Sequence, residues 1–92
     1  MNWVHHKGRK VGEVRLYALS TCGWCKRTRE LLEGLGIEFS HLYVDLLPEE
    51  EMESVIEEVR RYNPSVSFPT LVIGGKRTII GFREKEIQEA LG

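Results

Sequence analysis

Apolar positions along this chain switch between two periods. Over residues 13–19, Val14, Leu16 and Ala18 alternate with Arg15, Tyr17 and Leu19, which predicts a strand with one or both faces buried. Ser20 and Thr21 interrupt it. From Cys22-Gly23 to about Leu35 the chain is rich in helix formers, with Leu31, Leu32 and Leu35 at helical spacing, and Gly36 supplies the stop. Residues 37–46 read as a second strand. Pro48, expected at the first helical position, then opens a helix with Glu49, Glu50 and Glu51 in its first turn. Met52, Val55, Ile56 and Val59 recur there at i, i+3, i+4 and i+7, a single stripe to bury, and Asn63-Pro64 ends the helix.

Residues 70–73 and 77–80 flank Gly74-Gly75, a hairpin signal because both glycines can take the positive φ of a tight two-residue turn. Phe82 precedes a last short helix that turns Ile87, Ala90 and Leu91 inward. The order β-α-β-α-β-β-α predicts an α/β domain over 13–92. Its first two strands, joined through a helix, should be parallel and its final hairpin antiparallel. Residues 1–12 are polar and basic and form an N-terminal extension. It either frays or lets Trp3 and Val4 add a strand across a turn at Lys7-Gly8. With no continuous apolar stretch, this segment reads as neither a secretory signal nor a membrane anchor. A cytoplasmic monomer that engages no membrane is expected.

The 92 residues suffice for one core and not for two. Thirteen basic against 14 acidic residues leave a net charge of -1, without the global basic field that holds nucleic acid. That balance conceals segregation. Residues 1–29 carry a net +6 and residues 30–58 a net -10, and both cysteines fall in the basic segment.

Only two cysteines are present, Cys22 and Cys25. A bridge across two intervening residues closes too small a loop to restrict the unfolded chain much, so the pair is a poor structural staple. A cysteine at the mouth of a helix meets unpaired backbone N–H groups and the positive end of the helix dipole, which favour thiolate. Lys26, Arg27 and Arg29 in the next turn add positive potential, modest because exposed charges are screened. Cys22 is therefore the expected nucleophile. Cys25, one turn deeper on the same helical face, is within reach of it yet shielded from large substrates, and is suited to resolve a mixed disulfide.

A lone CxxC is also half of a zinc site, with His5, His6 or His41 as further ligands, or in a dimer a cluster ligand. The position of both cysteines at a helix start after a strand favours the redox pair and no metal. His5 and His6 read as solvated, and His41 as a strand residue on a polar face. Trp24, between the cysteines, is either a tolerated surface aromatic or an apolar contact for a partner. Pro69 stands directly before an apolar strand. A trans bond would make it a simple strand start, whereas a cis bond would turn the Phe68 backbone outward toward an extended peptide.

Thr21-Cys22-Gly23-Trp24-Cys25-Lys26 after a strand, then Phe68-Pro69-Thr70-Leu71-Val72-Ile73-Gly74-Gly75-Lys76 and Gly81-Phe82-Arg83, resemble the glutaredoxin and thioredoxin superfamily over about residues 13–92. The resemblance implies a thioredoxin fold: a four-stranded mixed sheet flanked by three helices, with an extra N-terminal strand if residues 1–12 add one. It also implies a cis Pro69 against the CxxC, Cys22 as nucleophile and Cys25 as resolving thiol. Trp24, Phe68, Pro69, Thr70, Gly81 and Phe82 are then the substrate-binding residues, and Lys26 and Arg27 tune the nucleophile. Glutaredoxins carry Pro-Tyr between the cysteines, a Lys shortly before them and an acidic pair near the last helix. Here those places hold Gly23-Trp24, Leu19-Ser20-Thr21 and Phe82-Arg83, which removes groups expected to hold glutathione's charged ends. The Gly81-Phe82-Arg83 stretch is similar to the glutaredoxin-like hydrogen donors of ribonucleotide reductase. The expected activity is reduction of protein disulfides, ribonucleotide reductase among the targets, without a bound cofactor. The reductant is a thioredoxin-reductase-type enzyme or else glutathione, with Arg83 and Thr70 replacing the missing contacts.

Overall fold

A computed structural model of the protein describes residues 2–92. Five strands form one mixed sheet: β1 (Val4–His6), β2 (Val14–Ala18), β3 (Phe39–Tyr43), β4 (Thr70–Ile73) and β5 (Arg77–Ile80), in the spatial order β1-β3-β2-β4-β5. The β2–β3 pair is parallel, with Leu16 opposite His41, and the β4–β5 hairpin is antiparallel, with Leu71 opposite Ile79. Helix α1 (Gly23–Gly34) crosses between β2 and β3, α2 (Glu49–Tyr62) leads to β4, and α3 (Glu84–Leu91) closes the chain. This is the thioredoxin fold with its extra strand.

Side-chain alternation along the sheet feeds two cores. Leu16, Ala18, Phe39, Leu71 and Ile79 project to one face and pack under Cys25 and Leu32 of α1 and Ile87 and Leu91 of α3. Tyr17, Leu42 and Val72 project to the other and meet Val55 and Val59 of α2. Each fully buried aliphatic side chain stabilises this arrangement by about 1.5–3 kcal/mol. Gly74 and Gly75 take φ of 62° and 68°, as the hairpin turn requires. Pro48 sits one place earlier than the sequence predicts, as the N-cap of α2, because its ψ of 151° is still extended. Among the described residues no helix is long and apolar enough to cross a membrane.

The N-terminal segment departs most from expectation. Residues 4–6 do form a strand, but β1 pairs antiparallel with β3 at the sheet edge and makes no hairpin with β2. The chain then crosses the start of β3, where Arg9 N–H donates to Gly36 O at 2.8 Å and Glu38 N–H donates to Arg9 O at 2.9 Å. A Cβ at Gly8 would lie 2.5 Å from the Ile37 carbonyl carbon, so this crossing needs glycine. His6 is not solvated, and His41, in a strand as expected, does not lie on a polar face. His41 is buried, His6 is partly buried against Phe39 with ring centroids 4.2 Å apart, and the two imidazoles share a 2.7 Å hydrogen bond. Pairing with each other lets two polar rings occupy the apolar face, which a pattern of polar and apolar letters does not reveal.

Candidate active site at the start of the first helix

The end of β2 and the start of α1 are joined by Leu19, Ser20 and Thr21, and this short turn delivers Cys22 to the helix N-cap. Cys22 has extended φ and ψ of -103° and 116°, and its sulfur accepts the Cys25 N–H at 3.2 Å. The carbonyl of Cys22 receives Lys26 N–H at 3.1 Å and begins the helical ladder. One sulfur thus satisfies a backbone donor that the first turn would leave unpaired. Cys22 is partly exposed and Cys25 only 1% exposed, and neither is in a disulfide. The Cys25 thiol is pushed up to about 12, first by burial and then by its contact with Cys22, against a Leu19 N–H that donates to its sulfur at 3.5 Å. Such a thiol keeps its proton at neutral pH.

Beside the cysteines an apolar groove of about 180 Å³ is lined by Trp24, Phe68, Pro69, Gly81 and Phe82. Trp24 is 56% exposed, stacks on Phe82 and carries the Arg27 guanidinium 5.1 Å from its ring centroid. The groove's floor is the Phe68–Pro69 peptide, which is cis, and Gly81 N–H donates to Pro69 O at 2.9 Å to tie the last strand to it. Lys26 and Arg27 are both exposed on the first turn of α1.

Thr70 stands apart from the residues expected to meet substrate. Its side chain is fully buried and faces α2, where its hydroxyl donates to Ser67 O at 2.7 Å and accepts from Asn63 Nδ2 at 3.0 Å. β-Strand alternation explains this. Thr70 opens β4 on the face that Val72 shares with α2, so its hydroxyl shapes the groove loop from behind.

Two contributors escaped sequence reasoning. Asn63, expected only to stop α2, is buried, and its amide nitrogen also donates to Ser67 O and Oγ at 3.1 Å each, bracing the loop that ends in Pro69. Three hydroxyl residues, Ser65, Ser67 and Thr70, within seven positions of an Asn-Pro breaker were the available signal. Asp45, in the 3₁₀ turn Val44–Leu46 after β3, accepts Ser20 N–H at 2.8 Å and the Ser20 hydroxyl at 2.5 Å. Slight desolvation opposes ionisation of this surface carboxyl, but the two bonds from Ser20, with one from its own backbone N–H, prevail and hold it below the ordinary carboxylate value. Nothing local in the sequence links positions 20 and 45.

Among the described residues no group of three or more His, Cys, Asp or Glu side chains is arranged to hold a metal ion. His5, the remaining histidine of the zinc alternative, bonds Ser40 Oγ at 3.2 Å and pairs with Glu38. A larger cavity of about 470 Å³, bordered by Trp3, His5, Arg15, Glu38, Ser40 and Glu58, lies at the opposite end of β2, away from both cysteines. The smaller groove is the one that adjoins the cysteine pair, through Trp24 between the two.

A strand that delivers a cysteine pair to a helix N-terminus, facing a cis-proline loop, defines a thiol-disulfide oxidoreductase fold. The glutaredoxin family model matches residues 14–78, and the chain belongs to that family. Methanoredoxin of Methanosarcina acetivorans is 52% identical in structure-based alignment, with a TM-score of 0.90 over 92% of this chain and 90% of that one. A glutaredoxin of Methanosarcina mazei Go1 is 53% identical, with a TM-score of 0.91 over 98% of this chain and 87% of that one. An uncharacterized glutaredoxin-like 8.6 kDa protein in the rubredoxin operon of Clostridium pasteurianum is 32% identical over 78 residues, 85% of this chain and 96% of that protein. Such relatives imply thiol-disulfide oxidoreductase activity.

Proposed function

We propose that the protein is a cytoplasmic protein-disulfide reductase that carries two electrons through Cys22 and Cys25. The observation that carries this reading is the division of labour between the sulfurs: one partly exposed at a helix N-terminus, the other buried three residues on and protonated at neutral pH. The Cys22 thiolate attacks one sulfur of a target disulfide. The target S–S bond breaks, its other sulfur leaves as a thiolate that takes a proton from water, and Cys22 holds a mixed disulfide. Cys25 then gives up its proton to solvent and attacks the Cys22 sulfur. The target's second thiolate departs and the Cys22–Cys25 disulfide remains, so the target gains the two electrons that the dithiol has lost. No bound cofactor takes part.

Targets dock over Trp24 and the Phe68–Pro69 floor, an apolar surface suited to a protein segment. The groove is lined by Trp24, Phe68, Pro69, Gly81 and Phe82, none of them a carboxylate to meet the amino end of glutathione. That supports recharging by a thioredoxin-reductase-type enzyme, with ribonucleotide reductase among the candidate targets by family resemblance.

Cys22→Ser should abolish disulfide reduction and Cys25→Ser should trap a covalent target adduct. Normal turnover by the Cys22 variant would sink the assignment. Coupled assays with a thioredoxin reductase system and with glutathione plus its reductase decide the reductant, and faster turnover with glutathione would overturn that part alone.

A further inference from the structure

Asp45 touches neither cysteine, yet it holds the turn that reaches both. Its carboxylate takes two hydrogen bonds from Ser20, the middle residue of the turn between β2 and Cys22. The first residue of that turn, Leu19, aims its N–H at the Cys25 sulfur at 3.5 Å, and its carbonyl accepts Cys22 N–H at 3.4 Å. Asp45 is itself anchored. Its neighbour Val44 and nearby Leu47 are buried in the core under α2, and Leu47 N–H closes the 3₁₀ turn on Val44 O at 3.3 Å. A continuous chain of contacts therefore runs from the α2 core through Asp45 and Ser20, both at the surface, to the buried thiol.

We propose that Asp45 is a positioning residue for the resolving step: through Ser20 it fixes the turn whose Leu19 N–H steadies the Cys25 sulfur. The inference rests on the exchange reading of the cysteine pair. Two opposed effects follow. Held in place, the Leu19 N–H stabilises the Cys25 thiolate. The Asp45 carboxylate disfavours the same thiolate by repulsion. This repulsion is weaker than the effects of burial, of Cys22 and of the Leu19 N–H on the same thiol. The two substitutions at this position should therefore part. Asp45→Ala frees the turn, whereas Asp45→Asn keeps an acceptor for Ser20 and removes only the charge.

Stopped-flow reaction of the reduced protein with dithiobis-nitrobenzoate separates the steps. Cys22 attack breaks the reagent's S–S bond and releases one coloured aromatic thiolate. Cys25, after losing its proton to solvent, attacks the mixed disulfide and releases the second. Asp45→Ala is expected to slow the second phase about tenfold, the loss expected for one charge-assisted hydrogen bond, and to slow it more than the first. Asp45→Asn should instead shift the pH midpoint of the second phase downward, a change that a merely structural role would not produce. Ser20→Ala, which loses one of the two bonds, should slow the second phase less than Asp45→Ala.

A second phase with wild-type rate in Asp45→Ala and wild-type midpoint in Asp45→Asn overturns the inference. If circular dichroism shows Asp45→Ala unfolded, an unmoved midpoint in Asp45→Asn with an unmoved rate in Ser20→Ala overturns it equally. A wild-type protein that releases only one thiolate refutes the exchange reading itself, and the inference with it.

Discussion

The indole of Trp24 stacks on the ring of Phe82, centroids 5.6 Å apart and planes 25° from parallel. One ring rides on the first turn of α1 and the other leads into α3, so the stack joins two elements across the mouth of the groove. Trp24→Ala and Phe82→Ala should each raise KM for a protein disulfide severalfold, as loss of an aromatic pair worth about 0.5–1.5 kcal/mol implies. Reduction of a small aromatic disulfide should change little. Steady-state assays with both substrates test this, and equal losses on both would place the rings in the chemistry instead of in docking.

The buried Cys25 thiol should make the reduced protein less stable at alkaline pH. Its proton is held to about 12 in the fold but leaves at about 9 in the unfolded chain, so between those values the folded state binds the extra proton. Stability then falls as pH rises, by about 1.4 kcal/mol per pH unit for this group. Tyr17, raised by burial and by its hydrogen bond to Glu58, adds a similar slope at higher pH. Urea unfolding of wild type and Cys25→Ser from pH 8 to 11 should show the difference, the serine variant losing less stability.

Acid should act through the paired histidines. Burial, more than any neighbouring charge, lowers the pKa of both His6 and His41. Glu33 and Arg29 of α1 act on them in opposite senses. The unfolded chain binds protons at about 6.5 before the folded one does, so this contribution is present above that pH and is lost as pH falls. Denaturation midpoints measured between pH 7 and 5 should fall more steeply for wild type than for His41→Asn.

Asn63→Ala should destabilise the fold by about 2–3 kcal/mol, because it strips the buried loop of several hydrogen bonds at once. The loss should also appear as weaker target docking, since Ser67 and Thr70 brace the approach to Phe68 and Pro69. Chemical denaturation together with KM for a protein disulfide measures both effects.

The periodic parts of the fold were readable because burial imposes the period. Val14, Leu16 and Ala18 mark β2, Met52 through Val59 mark α2, and Gly74-Gly75 marks the hairpin. Pairwise polar relationships were not. His6 with His41, Asp45 with Ser20, and Asn63 with Thr70 depend on which segments the topology brings together. Each of these residues looks alone like a surface or turn residue. Thr70 shows the same limit from the other side, since a resemblance points to its position while strand parity decides where its hydroxyl goes.

The Cys22 sulfur is a helix cap as well as a candidate nucleophile, and this separates two substitutions that would otherwise seem equivalent. Serine is among the preferred capping residues and can accept the Cys25 N–H in place of sulfur. Alanine cannot, and should lose about 1 kcal/mol of helix stability along with the thiol. The serine variant therefore silences the sulfur while leaving the scaffold's first turn intact, whereas the alanine variant confounds chemistry with fraying.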